Sequence, residues 1–249
     1  MSTVKFNGKE LPSFVKLVGR EIAALPDISV KSMELPRQIG SSFLYTKLGS
    51  KKESLNFLLI PEAVQTVDSA TEEFATWLRG NNFQPSKIVF ADKPDQYSMA
   101  QVNGSVTVSD LFLYGSLSVE FLYSDPLSYS NTKLDKTANT PSTVNYTGEV
   151  PQPPLIQYRT TTVATKISFH SNRTNKVVTI NGNFPVGTLV TVDNSRKLIQ
   201  INGITNMKVL SLDSEFFNLE TGNNIITIRQ NNTEHTGIAV TVRSEVANS

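Results

Sequence analysis

Cysteine is missing from the 249 residues, which removes disulfides, thiolate metal sites and cysteine nucleophiles together. Excess charge is missing too. Lysine plus arginine number 23 against 22 acidic residues, a net charge of +1, whereas a protein held to nucleic acid through phosphates carries a basic surplus. No apolar run is long enough to cross a bilayer, and the opening MSTVKFNGKELPSF has no apolar signal-peptide core, so neither a membrane nor a secretion route is expected. The glycosylation patterns at Asn145, Asn172 and Asn231 are therefore read as chance. There is one tryptophan and there are two histidines. No G-x-S-x-G elbow, P-loop, G-x-G-x-x-G or H-E-x-x-H occurs.

What is present is mostly strand and turn, arranged around one helix. Asp68–Gly80, DSATEEFATWLRG, places Ala70, Phe74, Trp77 and Leu78 on one face at helical spacing. Ser69 and Glu72 have the spacing of a capping box, Arg79 suits the negative end of the dipole, and Gly80 suits a C-cap. Trp77 is expected to anchor this helix on a sheet. Before it, Val4 and Phe6 run into an Asn7-Gly8 turn, and an extended pattern resumes over Leu11–Val18. Arg20–Lys52 is less regular, with a short strand at Ile28 and Val30 and a loop at Leu35–Gly40. Lys51 opens a clean strand with Leu55, Phe57 and Leu59 on one face. After the helix come a strand at Lys87–Phe90, a turn at Asp92–Asp95, a hairpin around Asn103-Gly104 and a strong strand at Ser116–Ser124.

Composition shifts after Pro126. Tyr129–Val150 is rich in serine, threonine, asparagine and lysine, and Pro151, Pro153 and Pro154 follow, so a boundary is expected near Ser130 with an extended linker reaching Pro154. This gives an N-terminal domain over 1–130, then 131–249 as linker and second domain. That half reads as short alternating strands: Val163–Phe169, Lys176–Ile180 ending at Asn181-Gly182, Leu189–Val192, Leu198–Ile201 ending at Asn202-Gly203, Met207–Leu210, Phe216–Leu219, Ile225–Arg229 and Ile238–Val242. Such spacing suggests an antiparallel β-sandwich, with Ser244–Ser249 frayed. The expected class is mainly β: an N-terminal sandwich with one packed helix, and a C-terminal antiparallel sandwich.

No catalytic, cofactor-binding or metal-binding residue can be nominated, and no cofactor is expected. His170 and His235 have no ligand spacing around them. Asp92 and Asp95 suit a turn better than a glycosidase pair, and Glu72-Glu73 suits a helix start. His170-Ser171-Asn172-Arg173 is similar to the His/Asn/Arg sugar site of galectins. Adjacent residues of a strand point to opposite faces, however, so Asn172 and Arg173 could not grip one sugar together.

The order of elements over Met1–Tyr129 resembles the distal tail (Dit) proteins of long-tailed phages, particularly those of Gram-positive hosts. It rests on VKFNGKEL, the KLGSKK and LNFLLIP segments, EEFATWL, KIVFADKPDQY and the strand into SDPLSY. The second half, through TINGNFPVGTLVTVD, KLIQING and DSEFFNLETGNNIITI, resembles the galectin-like domain of the same family. This resemblance implies a non-enzymatic virion protein of the tail tip or baseplate, assembled in the host cytoplasm. It implies a hexameric ring, singly or as a pair of rings, with a channel for DNA and no specific nucleic-acid recognition or membrane contact. The implied neighbours are the major tail tube protein, the tail-associated hub or lysin protein, and a receptor-binding protein or side fibre. The irregular Arg20–Lys52 stretch is expected to reach an adjacent subunit. The competing readings are an adhesin module for cell-wall sugars and a wall hydrolase.

Overall fold

The computed structural model describes residues 3–34, 39, 41–61, 66–110, 114–234, 236–237 and 239–248. The chain divides into two compact units, Met1–Ser128 and Tyr129–Ser249. Both are built from antiparallel strands, and the one α-helix among the described residues lies in the first.

In the first unit, strands pair in the order Lys9–Glu10, Val4–Phe6, Ser86–Phe90, Gln96–Asn103, Gly115–Tyr123, Lys51–Leu59 and Val15–Ile22. Asn7 and Gly8 take positive φ of 50° and 75° between the first two, the conformation that a two-residue hairpin turn demands. The row folds back on itself: Phe6 near one end meets Phe121 with ring centroids 5.4 Å apart. Alternation sets the core, since Leu55, Phe57, Leu59, Val119 and Phe121 are fully buried while their sequence neighbours are not. The helix, Val67–Leu78, lies against this core through Ala70, Phe74, Trp77 and Leu78. Phe74 meets Phe57 at 5.1 Å and stacks on Trp77 at 5.5 Å, and the Trp77 indole N–H donates to the Lys9 carbonyl at 3.3 Å.

The cap differs from the expected one. Thr66 is the N-cap, and Thr66 and Ser69 form the reciprocal box, one turn ahead of the Ser69–Glu72 pairing. Arg79 is the C-cap, and Gly80 follows at φ +53°. A Cβ on Gly80 would come 2.6 Å from the Phe6 ring, so the close approach of that ring also requires glycine. The Asn103-Gly104 hairpin does not form: residues 105–108 carry no strand, and the chain returns only to pair Ser109–Asp110 with Gly115–Ser116.

The described residues of Arg20–Lys52 are more regular than expected. Ile28–Glu34 and Ser41–Leu48 form a separate two-stranded antiparallel sheet with a bulge between Lys31 and Ser32. Of the expected Leu35–Gly40 loop, all but Ile39 lies outside the described residues.

The second unit has two sheets. One runs Leu134–Asn139, Ala239–Ser244, Leu155–Arg159, Leu189–Asp193, Leu198–Ile201, Ile204–Thr205; the other runs Ser142–Tyr146, Gly222–Gln230, Ala164–Ser171, Val177–Phe184. Ile156, Tyr158, Val190, Val192, Val240 and Val242 from the first sheet share one core with Ile167, Phe169, Val178, Ile180, Ile226 and Ile228 from the second. The Tyr158 and Phe169 rings meet edge to face at 6.2 Å, the arrangement that ring quadrupoles favour.

Several expectations about this half are corrected. Tyr129–Pro154 is no linker: Leu134–Asn139 and Ser142–Tyr146 are strands of the two sheets, and Gln152 exchanges backbone hydrogen bonds with Leu219 at 3.1 and 2.8 Å. Over 244–248 the C-terminal tail is not frayed, because Ala247 is fully buried and its amide donates to the Tyr146 hydroxyl at 3.1 Å. Asn181-Gly182 lies inside Val177–Phe184. Met207–Val209 is a 3-10 turn, and Phe216–Leu219 contributes one bridging residue instead of a strand. A register shift between Ala164 and Lys166 leaves Ala164 buried and Val163 exposed, reversing the expected parity at that end. The final strand starts at Ala239; Ile238 lies outside the described residues.

Asn194 is buried and ties three segments. Its amide donates to Pro154 O at 2.8 Å and its carbonyl accepts from Phe217 N at 3.0 Å. Alanine there leaves Phe217 N without its acceptor, while Pro154 O keeps the Asn194 backbone N–H at 3.2 Å, so Asn194→Ala should cost about 1–3 kcal/mol, read as a lower urea midpoint for the second unit at unchanged slope.

Candidate assembly surfaces

Several of the residues considered for chemistry hold structural contacts. His170 is half-buried, its Nε2 is 2.9 Å from Ser168 Oγ, and burial, reinforced by the nearby Arg229, holds its pKa below the ordinary imidazole value. Asn172 accepts from Ile225 N at 2.6 Å, and Arg173 donates to Thr221 O at 3.0 Å and faces Glu220 at 3.8 Å. The three therefore do not converge on a ligand: two of them bind the segment 220–225. Asp92 lies 3.8 Å from Arg20. Asp68 is the acidic residue of the first helical turn. His235 lies outside the described residues. Among the described residues no three His, Asp or Glu side chains group as a metal site.

A cleft of about 520 Å³ opens in the second unit, walled by Lys133, Asp135, Asp193, Arg196, Arg243 and Glu245 among others. Its charges are matched: Arg243 Nε meets Asp135 at 2.9 Å, Lys133 meets Glu245, and Arg196 stands 4.0 Å from Asp193. None of its described lining residues is aromatic, so a sugar ring would find no stacking platform there.

A run of exposed apolar side chains along two paired strands lies in the first unit. Every residue of Ile28–Glu34 is exposed, and of Ser41–Leu48 only Ser42 is even half-buried. Pairing places Ile28 opposite Leu48, Val30 opposite Thr46 and Ser32 opposite Phe43. Directly opposed residues share a face and alternate positions along a strand share a side. One face of the hairpin therefore carries Ile28, Val30, Phe43 and Leu48 with Ser32 and Thr46 between them, and the other carries Lys31, Met33, Tyr45 and Lys47. Phe43 is 64% exposed and Val30 59%. An isolated hairpin is marginal in water, and an exposed contiguous apolar face marks a contact surface. The flanking strand Val15–Ile22 ends the sheet and adds exposed Val18 and Ile22. Sequence reading missed this face because its alternation looks like that of a half-buried strand, and burial cannot be told from alternation.

At the root of the hairpin lies a buried charge. Glu53 is 2% exposed. Its Oε2 accepts from Arg20 Nη2 at 3.0 Å, Arg20 Nε at 3.2 Å and the Tyr123 hydroxyl at 3.0 Å, and its Oε1 meets Lys51 Nζ at 2.8 Å. Burial, with the Glu53 charge, raises the Tyr123 phenol far above its ordinary value, so it stays a neutral donor. The Arg20 guanidinium also lies 3.5 Å over the Phe90 ring.

Residues 11–123 match the phage tail protein RIFT-related domain, and residues 147–243 match the C-terminal domain of the siphovirus-type tail component. Among solved structures, the Dit protein of phage SPP1, described as a paradigm of the hub adsorption apparatus in phages infecting Gram-positive bacteria, superposes with a TM-score of 0.76. It is 16% identical and covers 99% of each chain. The phage p2 baseplate in its activated conformation matches at a TM-score of 0.47 and 10% identity over 98% of each chain. No curated protein matches the sequence.

Proposed function

We infer the function from the premise that this chain belongs to the distal tail (Dit) family of siphophages and is a structural component of the phage tail tip. We propose that it acts as a closed homo-hexameric ring between the tail tube and the hub, leaving a channel through which DNA passes. In this reading residues 1–130 build the ring, and residues 131–249 form the attachment domain for hub, fibre or receptor-binding proteins. The protein performs no catalysis and works inside the virion, after assembly in the host cytoplasm.

The observation that carries the ring is the hairpin, whose apolar face finds no cover among the described residues. A second copy supplies that cover. The contact is heterologous, hairpin onto a different patch of the neighbour, and such contacts form rings when the rotation closes. Ring closure also protects the outer edge of Val15–Ile22, which would otherwise template aggregation. The adhesin reading gains no comparable observation, since the cleft of the second unit is charge-matched and lacks an aromatic platform.

The test is the solution mass of the full chain by native mass spectrometry, with negative-stain images, alone and co-expressed with the neighbouring tail proteins. A hexamer mass with annular particles is expected in at least one condition. A monomer in every condition would overturn the reading.

A further inference from the structure

We propose that Glu53 is a positioning residue: one buried carboxylate grips the strands from which the hairpin emerges and so aims it at the next copy of the chain. The hairpin leaves the sheet after Val15–Ile22 and returns into Lys51–Leu59. Arg20 and Lys51 therefore stand just before and just after it, and both bind Glu53. The third ligand, Tyr123, comes from the strand on the other side of Lys51–Leu59, which pairs Tyr123 with Lys51 and Phe121 with Glu53. Three adjacent strands thus each send one group to a single carboxylate.

A second set of contacts closes the root beyond the carboxylate. Asp27 N donates to Ser50 O at 3.0 Å, and Gly49 N donates to Asp27 O at 2.7 Å. A Cβ on Gly49 would stand 3.1 Å from that of Asp27. The two chains of the hairpin are therefore held together where they leave the sheet, and the carboxylate fixes the sheet positions on either side of that knot.

The choice of a charge is the informative part. Apolar side chains of similar volume stabilise a core as well as a buried ion pair or better, and Glu53 shares its side of the strand with Leu55, Phe57 and Leu59. What a carboxylate adds is direction. Charge-assisted hydrogen bonds tolerate little angular error, whereas apolar contacts are non-directional. A free hairpin attached by its root alone would sweep many orientations, and ordering it on each contact would weaken association. Arg20 is held further between the Phe90 ring and Asp92, so the clamp has little slack.

The step from an aimed hairpin to a ring rests on the function proposed above; the clamp itself does not. The chain lacks cysteine, so spin labels can be placed cleanly at Lys47→Cys on the hairpin and Ser118→Cys on the sheet. Their distance distribution is measured with labelled chain diluted into excess unlabelled chain. It is expected to be narrow in the parent and visibly broadened in Arg20→Met and in Lys51→Met, while Trp77 emission reports an intact first unit. Ring yield in the two variants should fall about tenfold, the equivalent of one charge-assisted hydrogen bond. Lys52→Met, which removes the neighbouring lysine whose partner is Glu120 instead, should change neither readout. Tyr123→Phe supplies a milder variant should either methionine substitution fail to fold, and broadening is expected there as well. An unchanged narrow distribution in the folded variants, or equal broadening in Lys52→Met, would overturn the clamp. A parent that never forms rings but still shows the broadening would overturn the ring reading and leave the clamp standing.

Discussion

Phe43→Asp will leave the chain folded and abolish ring formation. Phe43 sits on the hairpin face shared with Ile28, Val30 and Leu48 and is 64% exposed, so the substitution removes no contact that the isolated unit needs. In an assembled ring the same position would be covered, and a carboxylate placed in an apolar contact must be desolvated without a partner. An aromatic anchor at the centre of an interface is worth at least about 2 kcal/mol, roughly a thirtyfold loss per contact. A closed ring repeats that contact at every subunit boundary, so the loss multiplies and no ring should survive at micromolar concentration. Native mass spectrometry should give a monomer, with circular dichroism and Trp77 emission unchanged. Lys31→Ala, on the opposite face of the same hairpin, should still form annuli. Annuli from Phe43→Asp at the parent yield would show that this face is not the subunit contact.

The contrast between the two faces of the hairpin also explains what could be read in advance. The helix was legible because Ala70, Phe74, Trp77 and Leu78 bury a helical stripe, and Lys51–Leu59 and Gly115–Tyr123 were legible because one parity is wholly buried. The hairpin was not, because alternation reports which side is apolar and not whether anything covers it. Tyr129–Pro154 was misread for the opposite reason. Its strands are polar because Leu134–Asn139 ends a sheet and leaves Asp135, Lys136 and Thr137 in water, while Val144 and Tyr146 bury the few large groups. Asn181-Gly182 carries a turn signature, yet the strand runs through it to the buried Phe184. Tertiary pairing outweighed a local preference that is worth less than a buried aromatic.

The clamp was half visible. Glu53 has the parity of Leu55, Phe57 and Leu59, and Tyr123 has that of Val119 and Phe121, so both could have been placed inside on alternation alone. Arg20 could not. The register shift between Leu17 and Gly19 turns it toward Glu53, and a bulge of this kind leaves no trace in a hydropathy pattern. The surface and the device that aims it therefore required coordinates, whereas the sandwich and its helix did not.

The division of labour between the two units predicts a separable loss of stability. Phe74→Ala removes a ring that is 1% exposed and wedged between Phe57 and Trp77. Deleting a buried phenylalanine costs about 3–5 kcal/mol because the cavity closes only in part. With a urea slope of about 2 kcal/mol/M, the first unit's midpoint should fall by about 2 M. The single tryptophan lies in that unit, so fluorescence follows it alone. Backbone hydrogen exchange at Phe169 and Ile228, in the shared core of the second unit, follows the other. If the units fold independently, the fluorescence transition moves and the protection of those amides in water does not. If the two readouts move together, residues 1–130 and 131–249 are one cooperative body, and assigning the ring to the first and attachment to the second loses its physical basis.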